Sequence, residues 1–169
     1  MDKLKIRAEY LIIIIILVIK TILHLIADFN SGLDGDEIYH VDTGKHLAWG
    51  YMEFPPMIGF LAWLQNFFKS DSIFAHHFFV HIAAGLIIVI SGLTVIRIGG
   101  NCKAVLLCLI CILTASCFGL TQNAFQPVIF DQLFWILSFY LLITYIRTNN
   151  NLHLFFFRCV NCCRVLNQI

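Results

Sequence analysis

The stretch YLIIIIILVIKTILHLIA, residues 10–27, limits what this chain can fold into more than any other feature. A helix that crosses a bilayer needs about 20 consecutive, mostly apolar residues, and this run is close to that length. Three further apolar runs follow, at His76–Ile96, Ala104–Leu120 and Gln132–Ile146. Composition agrees. A soluble domain is about half apolar and about a quarter charged, whereas this chain is 60% hydrophobic and 12% charged. Its mean hydropathy is +0.85. The expected fold is an all-α integral membrane protein with about four transmembrane helices. A membrane β-barrel is excluded, because its strands alternate over about ten residues and do not give long apolar runs.

Charge placement gives an orientation. Lys3, Lys5 and Arg7 precede the first run, so the positive-inside rule puts the N-terminus in the cytoplasm. The run is too long for a signal peptide and lacks a small-residue cleavage site, which makes it an uncleaved helix. Arg97 and Lys103 flank a turn at Gly99 and Gly100, and Arg147 ends the last run. These mark two more cytoplasmic points. Residues 28–74 and 121–131 are then outer loops. The net charge of +1, without a basic patch, argues against a nucleic-acid partner. Lys20 and His24 interrupt the first run four residues apart, on one face. The expected reading is that Lys20 snorkels outward while the face packs on protein; the other is a polar face turned toward a site inside the bundle. Cys108 and Cys111 form a CxxC without a βαβ pattern around it, so they read as small packing residues.

The first outer loop carries most of the candidate groups for chemistry. GDEIYHVDTGKH, residues 35–46, follows the first greasy run directly and carries Asp36, Glu37, Asp42 and Lys45 with two histidines. From Asp36 to Trp49 the apolar positions Ile38, Val41, Leu47, Ala48 and Trp49 leave a polar side of Asp36, Tyr39, His40, Thr43 and Lys45. That pattern predicts a helix lying in the membrane interface, where Trp and Tyr are favoured. Pro55 and Pro56 then restart the chain into a second interface helix, MIGFLAWLQNFF, since Pro suits the first turn of a helix. The acids of this loop serve either solvation or chemistry. Asp36 and His40 stand one helical turn apart and can share a divalent ion with Asp34, although DGDE lacks the remaining ligands of an EF-hand. Asp131 opens the last helix, where an acid also suits the helix dipole.

The order of a basic N-terminus, one membrane helix, a DE pair, HLAWGY and a PP pair resembles a known family. GDEIYHVDTGKHLAWGYMEFPPMIGFLAWL is similar to the first outer loop of glycosyltransferase family 39, which includes the protein O-mannosyltransferases and the lipid A aminoarabinose transferase. FQPVIFDQLFW resembles the start of the fourth helix in bacterial members. The resemblance covers roughly residues 5–147. It implies a GT-C fold with a domain over 1–148, in a bacterial cytoplasmic membrane. It also implies a hexosyl or pentosyl transferase that takes sugar from a polyprenyl-phosphate donor. The acceptor is a lipid, glycan or protein on the outer face, and the anomeric centre inverts. By the same resemblance Asp36 is the catalytic base that takes the acceptor proton, Glu37 supports it, and Asp131 is a second acid at the site. Lys45 and His46 are the local candidates for the leaving phosphate, with Tyr39 and Glu53 as further substrate contacts. A divalent ion is a candidate cofactor.

The chain departs from the family pattern at two points. Some members of that family carry Lys or His just before the PP pair, where Phe54 stands here after Glu53. Relatives also continue through several more helices, so the resemblance implies an incomplete and inactive fragment. The alternative is a small non-enzymatic four-helix membrane protein that binds a lipid or partner through its outer loop. The tail NNNLHLFFFRCVNCCRVLNQI, residues 149–169, has a different composition and three open readings. It is a cytoplasmic tail with palmitoylated cysteines, the start of a fifth helix, or sequence read out of frame. One codon choice for residues 164–168, read one base later, encodes Gly-Phe-Leu-Ile-Lys.

Overall fold

The computed structural model describes residues 2–68, 70 and 72–167, with backbone alone for 2–7. All regular elements among them are helical. In chain order they are α1 (Asp2–Asn30), α2 (Gly35–Thr43), α3 (Pro56–Gln65), α4 (Ile73–His76), α5 (Phe78–Ile98), α6 (Cys102–Thr114), α7 (Ser116–Thr121), α8 (Pro127–Thr148) and α9 (Asn151–Val165). Three segments are long and apolar enough to cross a membrane: Ala8–Asn30, Phe78–Ile98 and Pro127–Thr148. The expected run at 104–120 is broken into α6 and α7 at Ala115, whose ψ of 121° is extended. The Thr114 hydroxyl donates back to the Ile110 carbonyl at 2.9 Å just before the break, a bond that bends helices.

Helix α5 is the centre of the bundle and packs on α1, α6 and α8. One apolar cluster joins Ile13 and Ile16 of α1 to Ile88 of α5 and to Val105 and Leu109 of α6. A second joins Phe54, Ile58 and Ala62 to Val80, Ala84 and Ile87 of α5 and to Phe125 and Ile129. The outward side of α1 is the reverse of a soluble helix. Leu11, Ile14, Ile15, Val18, Ile22, Leu23 and Ile26 are exposed. Its inward side carries Glu9, Lys20 and His24 beside Ile13 and Ile16, all buried. Lys20, 5% exposed, does not reach outward as expected. Spacings of three and four residues put it on the same stripe as Ile13, Ile16 and His24, and that stripe faces α5 and α6.

Helix ends sort into two groups. Gly99 caps α5 at a φ of 100°, a left-handed conformation that glycine adopts without steric cost. There the Arg147 guanidinium, at the end of α8, donates to the Ile98 carbonyl at 2.8 Å. The Cys102 thiol at the start of α6 lies 3.7 Å from the Glu9 carboxylate. The start of α1, the α5–α6 turn and the end of α8 therefore share one end of the bundle. The opposite end gathers the C-terminus of α1, helices α2 to α4, and residues 122–126 ahead of α8.

Helix α9 runs back along α8. Asn161 reaches the Ser138 hydroxyl at 3.5 Å, Arg164 the Asp131 carboxylate at 3.1 Å, and Asn167 the Pro127 carbonyl at 2.9 Å. These positions are three residues apart, one face of a helix. The tail thus has helical order despite its composition.

Candidate functional site

Two adjacent acids of α2 meet opposite environments. Asp34 caps the helix, its Oδ1 accepting from the Gly35 N–H at 2.8 Å, and Glu37 returns the bond by accepting from the Asp34 N–H at 2.8 Å. This is a capping box. It fixes the first turn and aims Glu37 into the protein, where it is 3% exposed. Asp36, one residue earlier in the same turn, is exposed.

Glu37 is held by three donors. Besides Asp34, its Oε1 accepts from the Phe125 N–H at 2.6 Å and from His77 Nε2–H at 2.8 Å. His40, one turn further along α2, donates from Nδ1 to the Phe125 carbonyl at 3.0 Å. Glu37 and His40 therefore satisfy both backbone groups of Phe125, which would otherwise be buried without partners. These bonds tie α2 to the segment preceding α8. Burial pushes the Glu37 carboxyl up, but the His77, Asp34 and Phe125 donors outweigh it and leave the group below its ordinary range. For His40 burial prevails over the Phe125 carbonyl and the nearby acids, so its imidazole is held below the usual value and is neutral at pH 7.

Behind Glu37 lies a chain of imidazoles. His77 precedes α5 and spans two carboxylates, with Nδ1 at 2.7 Å from Asp28 Oδ1 and Nε2 on Glu37. Burial lowers its proton affinity, and the two carboxylates more than reverse this, leaving its pKa above the ordinary value. His81, one turn into α5, places Nε2 at 2.7 Å from Asp28 Oδ2. Its Nδ1 lies 3.1 Å from His24 Nδ1 of α1. With His81 Nε2–H on Asp28, the His81 Nδ1 accepts and His24 Nδ1–H donates. His24 Nε2 is then a buried acceptor without a partner.

The other expected site residues are dispersed. Tyr39 and Lys45 line a shallow depression of about 340 Å³ with Leu33, Gly35, Ile38, Val41 and Asp42. Lys45 Nζ bonds Asp42 Oδ1 at 2.9 Å. His46 and Glu53 are exposed and do not line that depression. Phe54, just ahead of the PP pair, is 6% exposed; its ring stacks with Tyr51 at 4.8 Å and meets His40 edge to face at 5.0 Å. Asp131 pairs with Arg164 of the tail, whose guanidinium also lies 3.6 Å over the Trp135 ring. It falls in the second turn of α8, which starts at Pro127, so the dipole argument for an acid in the first turn does not apply to it. Asp34 is occupied as a cap and His40 with Phe125. Among the described residues, the three side chains that lie close enough together to share an ion are Asp28, His77 and His81.

The sequence pattern predicts an interface helix over 36–49 with Asp36, Tyr39, His40, Thr43 and Lys45 on its polar side. The helix ends at Thr43, and Glu37, His40 and Thr43 form its buried side while Ile38 is 57% exposed. Bond partners from Phe125 and His77 decide this. The residues that sequence reasoning missed, Asp28, His77 and His81, carried a signal. Lys20, His24 and Asp28 repeat every four residues, as do His77 and His81, and that spacing stacks side chains on one helix face.

No family model, curated protein or solved structure matches the chain.

Proposed function

We propose that this chain forms the donor side of a membrane-surface glycosyltransferase using a polyprenyl-phosphate sugar, with Asp36 as the general base. The observation that carries the reading is the division between neighbouring acids. Glu37 is buried and fully bonded. It holds α2 rigidly, so Asp36 is presented outward from a fixed turn. A base must meet the acceptor hydroxyl at hydrogen-bond distance, and a rigid support favours that. The apolar outer side of α1 and the three long apolar helices support a bilayer setting, with the Arg97 and Arg147 end in the cytoplasm and α2 at the outer surface. In that setting α6 and α7 together make a fourth, bent span. A lipid-anchored donor then presents its phosphate at the depth of α2.

A second reading is favoured by a different feature. An open hollow of about 470 Å³ is lined by Leu47, Trp49, Pro56, Met57, Phe60 and Leu166, and Trp49 is 97% exposed. Such a surface suits a lipid chain bound without any reaction. Binding in nanodiscs separates the two. The transferase reading expects retention of a polyprenyl-phosphate sugar in preference to the same polyprenol without its headgroup. Equal retention of both favours lipid binding alone, and retention of neither opposes both readings.

A further inference from the structure

We propose that Asp28, His77 and His81 form a site for a divalent transition-metal ion of the zinc class. The inference stands independently of the transferase reading. The donor set is one carboxylate and two imidazoles, all within 4.8 Å of one another. Two imidazole nitrogens suit zinc, cobalt or iron and disfavour calcium and magnesium, which take oxygen ligands. Three protein ligands with positions left open are the pattern of reactive rather than closed structural sites.

The surroundings are built as a metal site requires. Ligating histidines hold their second ring nitrogen on a carboxylate or another fixed partner, which sets ring orientation. His77 directs Nδ1 at Asp28 while Nε2 is fixed by Glu37 at 2.8 Å. His81 directs Nε2 at Asp28 while Nδ1 is fixed by His24 at 3.1 Å; with Nε2 on an ion the His81 proton moves to Nδ1, which then donates to His24 Nδ1. Both histidines thus have an inward nitrogen toward one carboxylate and an outer nitrogen already occupied. The ligands come from the last turn of α1, the residue before α5, and the first turn of α5. Asp28 and His81 side chains are 10% and 15% exposed, which leaves an approach for an ion, while His77 is 3% exposed. Donors about 2 Å from a tetrahedral ion are separated by roughly 3.3 Å. The 2.7 Å nitrogen–oxygen contacts open by about 0.6 Å on binding, and ligand atoms up to 4.8 Å apart close in around the ion. The ion would clamp α1 to α5, and through Glu37 it would fix the position of α2.

The test is Co²⁺ titration of the purified full chain in detergent after chelator treatment. Its seven free cysteines are alkylated beforehand so that thiolates cannot contribute. The expected result is one equivalent bound with visible bands of a nitrogen–oxygen site, loss of those bands in His81→Ala, and about 10–100-fold weaker binding in Glu37→Gln. The wild-type protein is also expected to melt at higher temperature with excess Zn²⁺, a readout that needs no variant. Absence of binding, equal binding by His81→Ala, or an unchanged melting temperature with Zn²⁺ would overturn the proposal.

Discussion

His77 stands between Asp28 and Glu37, one ring nitrogen 2.7 Å from the first carboxylate and the other 2.8 Å from the second. Through this one imidazole the end of α1, the start of α5 and the surface helix α2 become a single polar unit. Among the described residues Glu37 carries the most partners in that unit, and its removal should be felt throughout.

Glu37→Ala leaves the Phe125 N–H and the His77 imidazole without their buried partner. Removing one member of a buried, bonded pair costs about 3–5 kcal/mol. The variant is expected to melt well below wild type in detergent. A change under about 1 kcal/mol would mean that water replaces the carboxylate freely.

His40 makes stability depend on pH with a definite sign. Its folded pKa lies below the unfolded value of 6.5 because burial disfavours the imidazolium. Below that pH the unfolded chain binds the extra proton and the folded one does not. The His40 contribution is therefore complete above pH 6.5 and is lost as pH falls toward the folded pKa. His77, raised instead, acts in the opposite direction. The difference between wild type and His40→Gln isolates the effect. Melting curves of the two should converge or cross on going from pH 7.5 to 5.5.

Gly44 ends α2 against the backbone of α3. A Cβ there would lie 2.6 Å from the Ala62 carbonyl carbon and 2.7 Å from the Trp63 nitrogen. Backbone cannot yield as a side chain does, so Gly44→Ala should cost about 1–3 kcal/mol. Wild-type stability in this variant would show that α2 and α3 are less closely seated.

Arg164 attaches α9 to α8 through Asp131 and the Trp135 ring. Partly buried charge and cation–π contacts of this kind are worth about 1–2 kcal/mol together. Arg164→Ala is expected to raise hydrogen exchange across 151–165 and leave α5 unaffected. Unchanged exchange would place the attachment elsewhere on the helix.

Much of the architecture could be read from the residues, because long apolar runs, Pro56 at a helix start and Gly99 at a helix end each have a local cause. The site was less legible. In the sequence Glu37 stands beside Asp36 as one of a pair, and nothing local says that its partners are the backbone of Phe125 and the ring of His77. Those contacts join residues 88 and 40 positions apart. The direction of α2 failed for the same reason. An amphipathic reading assigns Ile38 to the apolar side, whereas distant donors and acceptors pull Glu37 and His40 inward. Asp28, His77 and His81 each look incidental alone and acquire meaning only when α1 and α5 meet.

Asp36 is exposed where its neighbour Glu37 is buried, and the choice of Asp36 as the base depends on that contrast. That choice is tested by sugar transfer from a polyprenyl-phosphate donor in reconstituted membranes, with melting temperature measured on the same preparations. Asp36→Asn is expected to lower the transfer rate by about 10²–10⁴-fold, the usual worth of a general base, with melting unchanged and donor still bound. A chain that supplies the donor side alone is itself expected to be inactive, so the comparison is made in the complete transferase to which it contributes. Transfer by Asp36→Asn equal to wild type would contradict the assignment.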